Sequence, residues 1–177
     1  MSTLSNNITQ TLLAEVRRRI IEESVPRIKK CLHLLNEDQI WHRPNEQTTR
    51  VGNLVLHLMG NLRQWLLSGI DGQPDYRQRE QEFAETGPVP TKKLIRDLDS
   101  LAAEVDQALT RITPEMLTEK RDVQGFEESV LAILVHVTEH FSYHTGQITY
   151  YTKSTLNVDT QYYAGMDLDQ TSSSDTD

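Results

Sequence analysis

The sequence predicts an all-α protein, an up-down four-helix bundle with one long crossover between helices 2 and 3. Apolar residues recur at steps of three and four in four long segments, and no alternating run is long enough to build a sheet. A polar stretch separates the second segment from the third. With 177 residues, of which 37% are hydrophobic, the chain can bury one core, so we expect a single folded domain.

The first helix is predicted from about residue 8 to about residue 35. Its apolar face contains Leu12, Val16, Ile20, Val25, Ile28, Leu32 and Leu35. Pro26 lies inside this pattern, lacks a backbone donor and crowds the preceding turn, so we expect a kink or a break near residues 23–25. A loop with one short turn is predicted over residues 36–47.

The second helix is predicted from about Thr49 to about Ser68, where Gly69 and the pair Asp71-Gly72 end it. Residues 73–90 are polar and include three prolines. This is the longest connection in the sequence, which is typical of a crossover or a lid rather than of a tight helix hairpin.

The third helix is predicted to begin after Pro90, with Thr91 as its N-cap, and to end at Thr113-Pro114. Residues 116–125 are expected to be irregular. The fourth helix is predicted from near residues 127–129 to about Lys153. Its first half is apolar almost all round, so we expect it to be the most buried helix.

The net charge of −8 argues against nucleic acid or an anionic membrane as the main partner. Five of the 26 acidic residues follow Lys153, where no Lys or Arg occurs. We therefore expect a folded domain over residues 1–155 and an acidic, disordered tail over residues 156–177.

The single cysteine, Cys31, cannot form an intramolecular disulfide and lies among apolar residues. We interpret it as a small buried hydrophobic residue. The N-terminus lacks the pattern of a signal peptide, and no apolar run approaches the length of a membrane span. These observations favour a cytoplasmic protein.

Three histidines, His136, His140 and His144, are spaced four residues apart on the fourth helix and therefore share one inward stripe. Burying such imidazoles without partners would cost about 1–3 kcal/mol each. A divalent metal ion would satisfy them, and His57, between apolar residues of the second helix, is the candidate third ligand. The alternative is a set of hydrogen-bonded core histidines.

Two other histidines give weaker signals. His33 is predicted to lie at the surface, whereas His42 is equally compatible with the rim of a site and with simple packing. The run His136 to His140 also fits the H-x-x-E-H pattern of inverted zinc peptidases, but the required acidic third ligand would have to come from the tail. A ferritin-like di-iron centre would need paired Glu-x-x-His motifs, which are missing from the sequence.

Two segments, GNLVLHLMGN at residues 52–61 and EHFSYHTGQI at residues 139–148, resemble the DinB-like family of damage-inducible metalloproteins. The similarity extends over residues 8–155, and its most specific part is the ending His-x3-His-x-Gly-Gln-Ile. The resemblance implies a four-helix bundle that binds a divalent metal, zinc or nickel, through His57, His140 and His144. It places His136 outside the ligand set and implies a homodimer.

The family includes thiol S-transferases and a maleylpyruvate isomerase that uses a low-molecular-weight thiol, and this chain resembles a branch without an assigned function. Three neutral ligands leave one metal position open for a small-molecule substrate, which favours a metal-activated thiolate or hydroxide. Glu139, Gln147 and His136 are candidates for orienting the ligands or transferring protons. A metal-dependent hydrolase and a metal-stabilised dimeric interaction protein without catalysis are the alternative interpretations.

Overall fold

The computed structural model describes residues 3–171, and this part of the chain is mostly helical. The elements are, in order, α1 (Thr3–Arg17), a π-helical segment (Arg18–Ser24), α2 (Val25–Leu34), α3 (Glu37–Trp41), α4 (Val51–Leu62), a second π-helical segment (Arg63–Ser68), α5 (Arg79–Ala84), α6 (Thr91–Leu109), a 3-10 turn (Met116–Thr118), β1 (Lys120–Val123), β2 (Phe126–Ser129) and α7 (Val130–Leu156).

The first predicted helix does not break at residues 23–25, and the kink that was expected as the alternative stays a prediction. The backbone changes its hydrogen-bond pattern instead, and the Val25 N–H donates to the carbonyl of Ile20, five residues back. Pro26 lies in the first turn of α2, where a missing donor costs little. A π-helical segment thus accommodates the proline while the helix continues.

The second predicted helix comprises α4 and the π-helical segment that follows it, and it ends at Ser68 as expected. A Cβ at Gly69 would lie 2.5 Å from the carbonyl oxygen of Trp65, so the chain needs a glycine at this point. The polar crossover that follows contains a short helix that we did not predict, α5, which packs on α4.

The prediction for the start of the third helix was wrong in one respect. Thr91 is the first residue of α6 and forms no side-chain cap. Its backbone N–H donates to Oε1 of Glu37 at 3.1 Å, so a carboxylate from α3 satisfies one free donor at this helix end. At the start of α7, Ser129 caps the helix by accepting from the N–H of Ala132 at 3.1 Å.

The expectation of an all-α fold missed a β-hairpin between α6 and α7. Strands β1 and β2 pair antiparallel, and their turn residues Gln124 and Gly125 have φ values of 52° and 82°. Each strand has only four residues, too few to produce a clear alternating pattern. The turn pair Gln-Gly is also a weaker hairpin signal than Asn-Gly.

Burial is greatest in α4 rather than in α7. Ten of the 12 residues of α4 are buried, whereas Leu131 and Val135 in the first half of α7 are 43% and 54% exposed. The prediction that α7 is the most buried helix was therefore wrong. Helix α4 packs against α5, α6 and α7, which places its side chains at the centre of the molecule.

Trp41, at the end of α3, lies between two glycines. A Cβ at Gly52 would be 2.6 Å from the indole ring, and a Cβ at Gly87 would overlap it. The indole N–H donates to the carbonyl of Val89 at 3.3 Å. Trp41 therefore joins α4 to the C-terminal end of the crossover.

Cys31 is buried, as predicted, and its sulfur lies 3.2 Å from the hydroxyl of Tyr162. That hydroxyl also lies 2.9 Å from Oγ1 of Thr149, and burial raises the pKa of Tyr162 to about 12. The chain beyond α7 thus contacts the core. The disorder predicted for the tail stays a prediction, and residues 172–177 lie outside the described part.

No described helix has both the length and the apolar character needed to span a bilayer.

Deleting residues 167–177 is expected to leave the thermal unfolding temperature unchanged, because residues 167–171 are exposed. A longer deletion of residues 160–177 would also remove Tyr162 and its hydrogen bonds, and we expect it to lower that temperature. Differential scanning calorimetry of both truncations checks this. Equal destabilisation by the shorter deletion would contradict it.

Candidate metal centre

Three of the predicted histidines converge between α4 and α7. His57 is buried on α4, and His140 and His144 lie one turn apart on the facing side of α7. Nε2 of His57 is 2.9 Å from Nε2 of His140. One ligand nitrogen from each of the three rings lies within 4.8 Å of the others, so these histidines could hold a metal ion.

Burial favours the neutral form of His140 and His144. Burial and the neighbouring rings of His144 and His57 lower the pKa of His140 to about 3. Burial also lowers the pKa of His144 and of His136. Neutral imidazole is the form that coordinates a metal, so at His140 and His144 protons compete only weakly with a cation.

An ion pair that the sequence analysis did not identify contacts Nδ1 of His57, the ring nitrogen on the side away from His140. Nδ1 of His57 lies 2.9 Å from Oε2 of Glu82. Arg77 donates from Nε to Oε1 of Glu82 at 2.7 Å and from Nη2 to Oε2 at 2.9 Å. Both side chains are nearly inaccessible, Arg77 being 3% and Glu82 10% exposed.

This ion pair contacts Nδ1 of His57 and leaves Nε2 facing the other histidines. Burial opposes ionisation of Glu82, but hydrogen bonds from Arg77 and His57 outweigh it and keep the pKa of Glu82 below its usual range. The ionised carboxylate favours the tautomer in which Nδ1 of His57 donates a hydrogen bond to it, although Nη2 of Arg77 also lies 3.1 Å from this Nδ1. In that tautomer the lone pair is on Nε2, which faces His140. Because Arg77 engages both oxygens of Glu82, the carboxylate orients His57 and is not itself available as a ligand.

Gly60 provides the space for this arrangement. It lies one turn after His57, and a Cβ there would overlap Oε1 of Glu82 and lie 3.1 Å from Nε of Arg77. Asn53, also on α4, donates to the carbonyls of Glu82 and Glu85 at 2.8 Å each and ties α5 to the same helix face. A glycine inside an apolar helix is the one sequence signal that could have indicated this close approach.

Gln147, predicted to orient a ligand, does contact His144. Its Oε1 lies 2.7 Å from Nδ1 of His144, so a proton on Nδ1 leaves Nε2 of that ring free as well. Glu139 is exposed, and its negative charge acts to raise the pKa of His136, against the larger effect of burial. The role predicted for Glu139 stays a prediction.

His136 lies beside the trio and not within it. Its ring stacks on His140 at 5.4 Å between centroids, and it lies 4.1 Å from the Trp65 ring at an interplanar angle of 36°. Nε1 of Trp65 donates to Gln124 in the hairpin turn at 2.9 Å, so the small sheet supports this stack. Nε2 of His136 lies 3.5 Å from Nδ2 of Asn61, whose buried Oδ1 has no hydrogen-bond partner in residues 3–171.

The donor set fits a divalent metal ion on three counts. Burial favours the neutral form of His140 and His144, the ligand nitrogens of all three rings converge, and a carboxylate and an amide oxygen contact the Nδ1 atoms of two of them. His33 and His42 are both exposed and distant in sequence from this group, so the structure brings only the three predicted ligands together within the described residues.

Acidification is expected to destabilise the metal-free protein between about pH 6.5 and pH 3. His140 has an ordinary pKa near 6.5 when unfolded, so in this window the unfolded chain binds more protons than the folded one. Stability therefore falls as the pH falls. Urea unfolding with a chelator present, at several pH values from 7 to 4, measures the slope.

His140→Gln should reduce this pH dependence, because it removes a group that titrates differently in the two states. The exposed His33 provides the matched control, since His33→Gln should leave the slope unchanged. A stability that does not vary across this range would contradict neutral burial of the cluster.

Two comparisons place the chain among known proteins. The family described as "Protein of unknown function (DUF1572)" matches residues 7–164. A crystal structure of a DinB-like protein from Bacillus cereus ATCC 10987 is similar, with a TM-score of 0.59 and 20% sequence identity over 76% of this chain and 87% of that one. No curated protein matches the chain. The structural likeness agrees with the resemblance seen in the sequence, and the chain therefore belongs to the DUF1572 family and has a DinB-like fold.

Proposed function

We propose that the protein binds one divalent metal ion, zinc or nickel, through His57, His140 and His144. The observation that carries this proposal is the convergence of three imidazole nitrogens, which lie within 4.8 Å of one another. Glu82 and Gln147 support it because they engage the Nδ1 atoms of His57 and His144 and leave the other ring nitrogens free.

We further propose that the protein is a metal-dependent thiol S-transferase that acts on a low-molecular-weight thiol. A bound divalent metal lowers the pKa of a thiol, so that the thiolate nucleophile is present at neutral pH. The chain's residues bind and orient: Glu82 and Arg77 fix His57, Gln147 fixes His144, and the stacked rings of Trp65 and His136 cover one side of His140.

Metal analysis followed by thiol titration tests this function. The purified protein should contain about one equivalent of divalent metal. After exchange with Co²⁺, addition of 2-mercaptoethanol should produce a sulfur-to-cobalt absorption band. A protein that holds the metal fully but shows no such band would contradict thiol activation and favour a purely structural metal.

The up-down order of four helices, a homodimer and a cytoplasmic location belong to the same proposal. Three exposed apolar side chains near the start of α7 support a second copy as partner: Phe126, Leu131 and Val135. Light scattering coupled to size-exclusion chromatography measures the oligomeric state, and a monomer at micromolar concentration would contradict the dimer.

A further inference from the structure

A cavity of about 560 Å³ lies beside the histidine trio, and no role has been given to it so far. Residues of the loop 44–49, the first turn of α4, α5 and the second half of α7 form its walls. His144 is part of the lining, so a molecule in this cavity lies next to one of the three converging rings. The volume is within the range of pockets that bind small molecules.

The cavity has an aromatic lining. Phe83, Tyr143, Tyr150 and Tyr151 contribute rings, and Val51 and Leu54 contribute aliphatic surface. Two of these rings also contact the histidines directly: the Phe83 centroid is 4.7 Å from that of His57, and the Tyr143 centroid is 5.0 Å from that of His144. The apolar wall therefore continues up to the trio.

None of the 13 described residues that line this cavity is Lys, Arg, Asp or Glu. A second cavity of about 600 Å³, lined by the opposite side of α5, differs in this respect. Its lining includes five charged residues, namely Arg63, Asp75, Arg77, Glu82 and Glu85, and none of the three converging histidines. The uncharged cavity is thus the one that adjoins the trio.

We propose that the uncharged cavity is the substrate site and that it binds a neutral molecule with an aromatic or branched aliphatic body. Aromatic walls bind such a body through burial of apolar surface and ring contacts. A carboxylate buried against this lining would lose water and find no cationic side chain among the lining residues, which is costly. The site therefore selects against thiols and electrophiles that have several carboxylate groups. This inference rests on the proposed function.

Ligand binding to the metal-free protein tests the cavity without requiring catalysis. The probes are 4-fluorobenzyl alcohol and 4-fluorobenzoate, which differ in charge and share the fluorophenyl body, and ¹⁹F NMR titration measures their dissociation constants. We expect the alcohol to bind at least about tenfold more tightly than the benzoate, as the cost of burying an unpaired charge implies. Equal binding, or tighter binding of the benzoate, would overturn the proposal.

Two variants locate the binding site. Tyr143→Ala, at a residue that is 62% exposed and therefore tolerant of truncation, should weaken binding of the alcohol severalfold. Tyr163→Ala is the matched control, because Tyr163 is 50% exposed and lines a different cavity next to Arg27. Loss of binding in the control variant and not in Tyr143→Ala would place the probe elsewhere and overturn the assignment.

A charge-altering variant tests the selectivity. Tyr150 is 76% exposed, so Tyr150→Lys should fold, and its ammonium group should shift the preference toward the benzoate. The experiments distinguish an error in the assignment of the cavity from an error in the proposed function. Binding of the alcohol without metal uptake would contradict only the proposed function, whereas metal uptake and a thiol band without alcohol binding would contradict only the cavity.

Discussion

Replacing His57, His140 or His144 with alanine is expected to reduce the affinity for a divalent metal by more than about 100-fold. Outer residues that merely orient a ligand contribute about 10–100-fold, and removal of a ligand itself should cost more. Each variant leaves two of three converging nitrogens. Competition with a chromophoric chelator measures the dissociation constants of all three variants.

His136→Ala is the control for this experiment. Its ring lies on the same helix stripe and stacks on His140, yet it is not among the converging three. We expect this variant to retain the metal with an affinity close to that of the wild type. A loss equal to that of His144→Ala would show that the ligand set includes His136 and would contradict the assignment.

Replacing Glu82 with glutamine is expected to weaken metal binding by about 10–100-fold, although Glu82 is not a ligand. The neutral amide keeps the shape of the side chain but no longer accepts a charge-assisted hydrogen bond from Nδ1 of His57 or pairs with Arg77. ¹⁵N NMR of the imidazoles reports the tautomer of His57 and should show the proton less firmly held on Nδ1. A purely packing role would not change that signal.

Glu80→Gln is the matched control, because Glu80 is exposed on the same short helix and makes the same change in net charge. It should leave both the metal affinity and the His57 tautomer unchanged. If Glu80→Gln weakened binding as much as Glu82→Gln, the effect would come from long-range charge and not from the contact with His57.

Gly60→Ala is expected to reach the same result by a different route. Alanine favours the helix by about 1 kcal/mol over glycine, so the variant should fold. Its methyl group would displace the flexible end of Glu82 and so separate it from His57. Reduced metal affinity in a variant that still folds is the expected pattern, and unchanged affinity would show that Glu82 can shift without consequence.

Much of the helical part of the fold could be predicted from the sequence. The recurrence of apolar residues locates the long helices to within a few residues, because burial on one face is what forms them. The spacing of His140 and His144 gave their common face directly, and the apolar neighbours of His57 indicated that it points inward. These inferences depend on contacts within one helix, which a single sequence records.

The features that were missed depend on contacts between elements. Arg77 and Glu82 lie in a polar segment without periodicity, and their partner His57 is 20 and 25 residues away in sequence. The cap of α6 comes from Glu37 rather than from the adjacent Thr91. Nothing local in the sequence specifies such pairs, because the geometry that creates them exists only after α5 and α3 have packed.

The indole of Trp41 fills the volume that side chains at positions 52 and 87 would otherwise occupy. Which residues are tolerated at any one of these three positions therefore depends on the residues at the other two. A library randomised at any one of them should return almost only the native residue. A library randomised at all three together should return joint solutions, in which a smaller ring accompanies a larger neighbour. Gly87 would be the most restricted member of such solutions, since its φ of 69° disfavours any side chain.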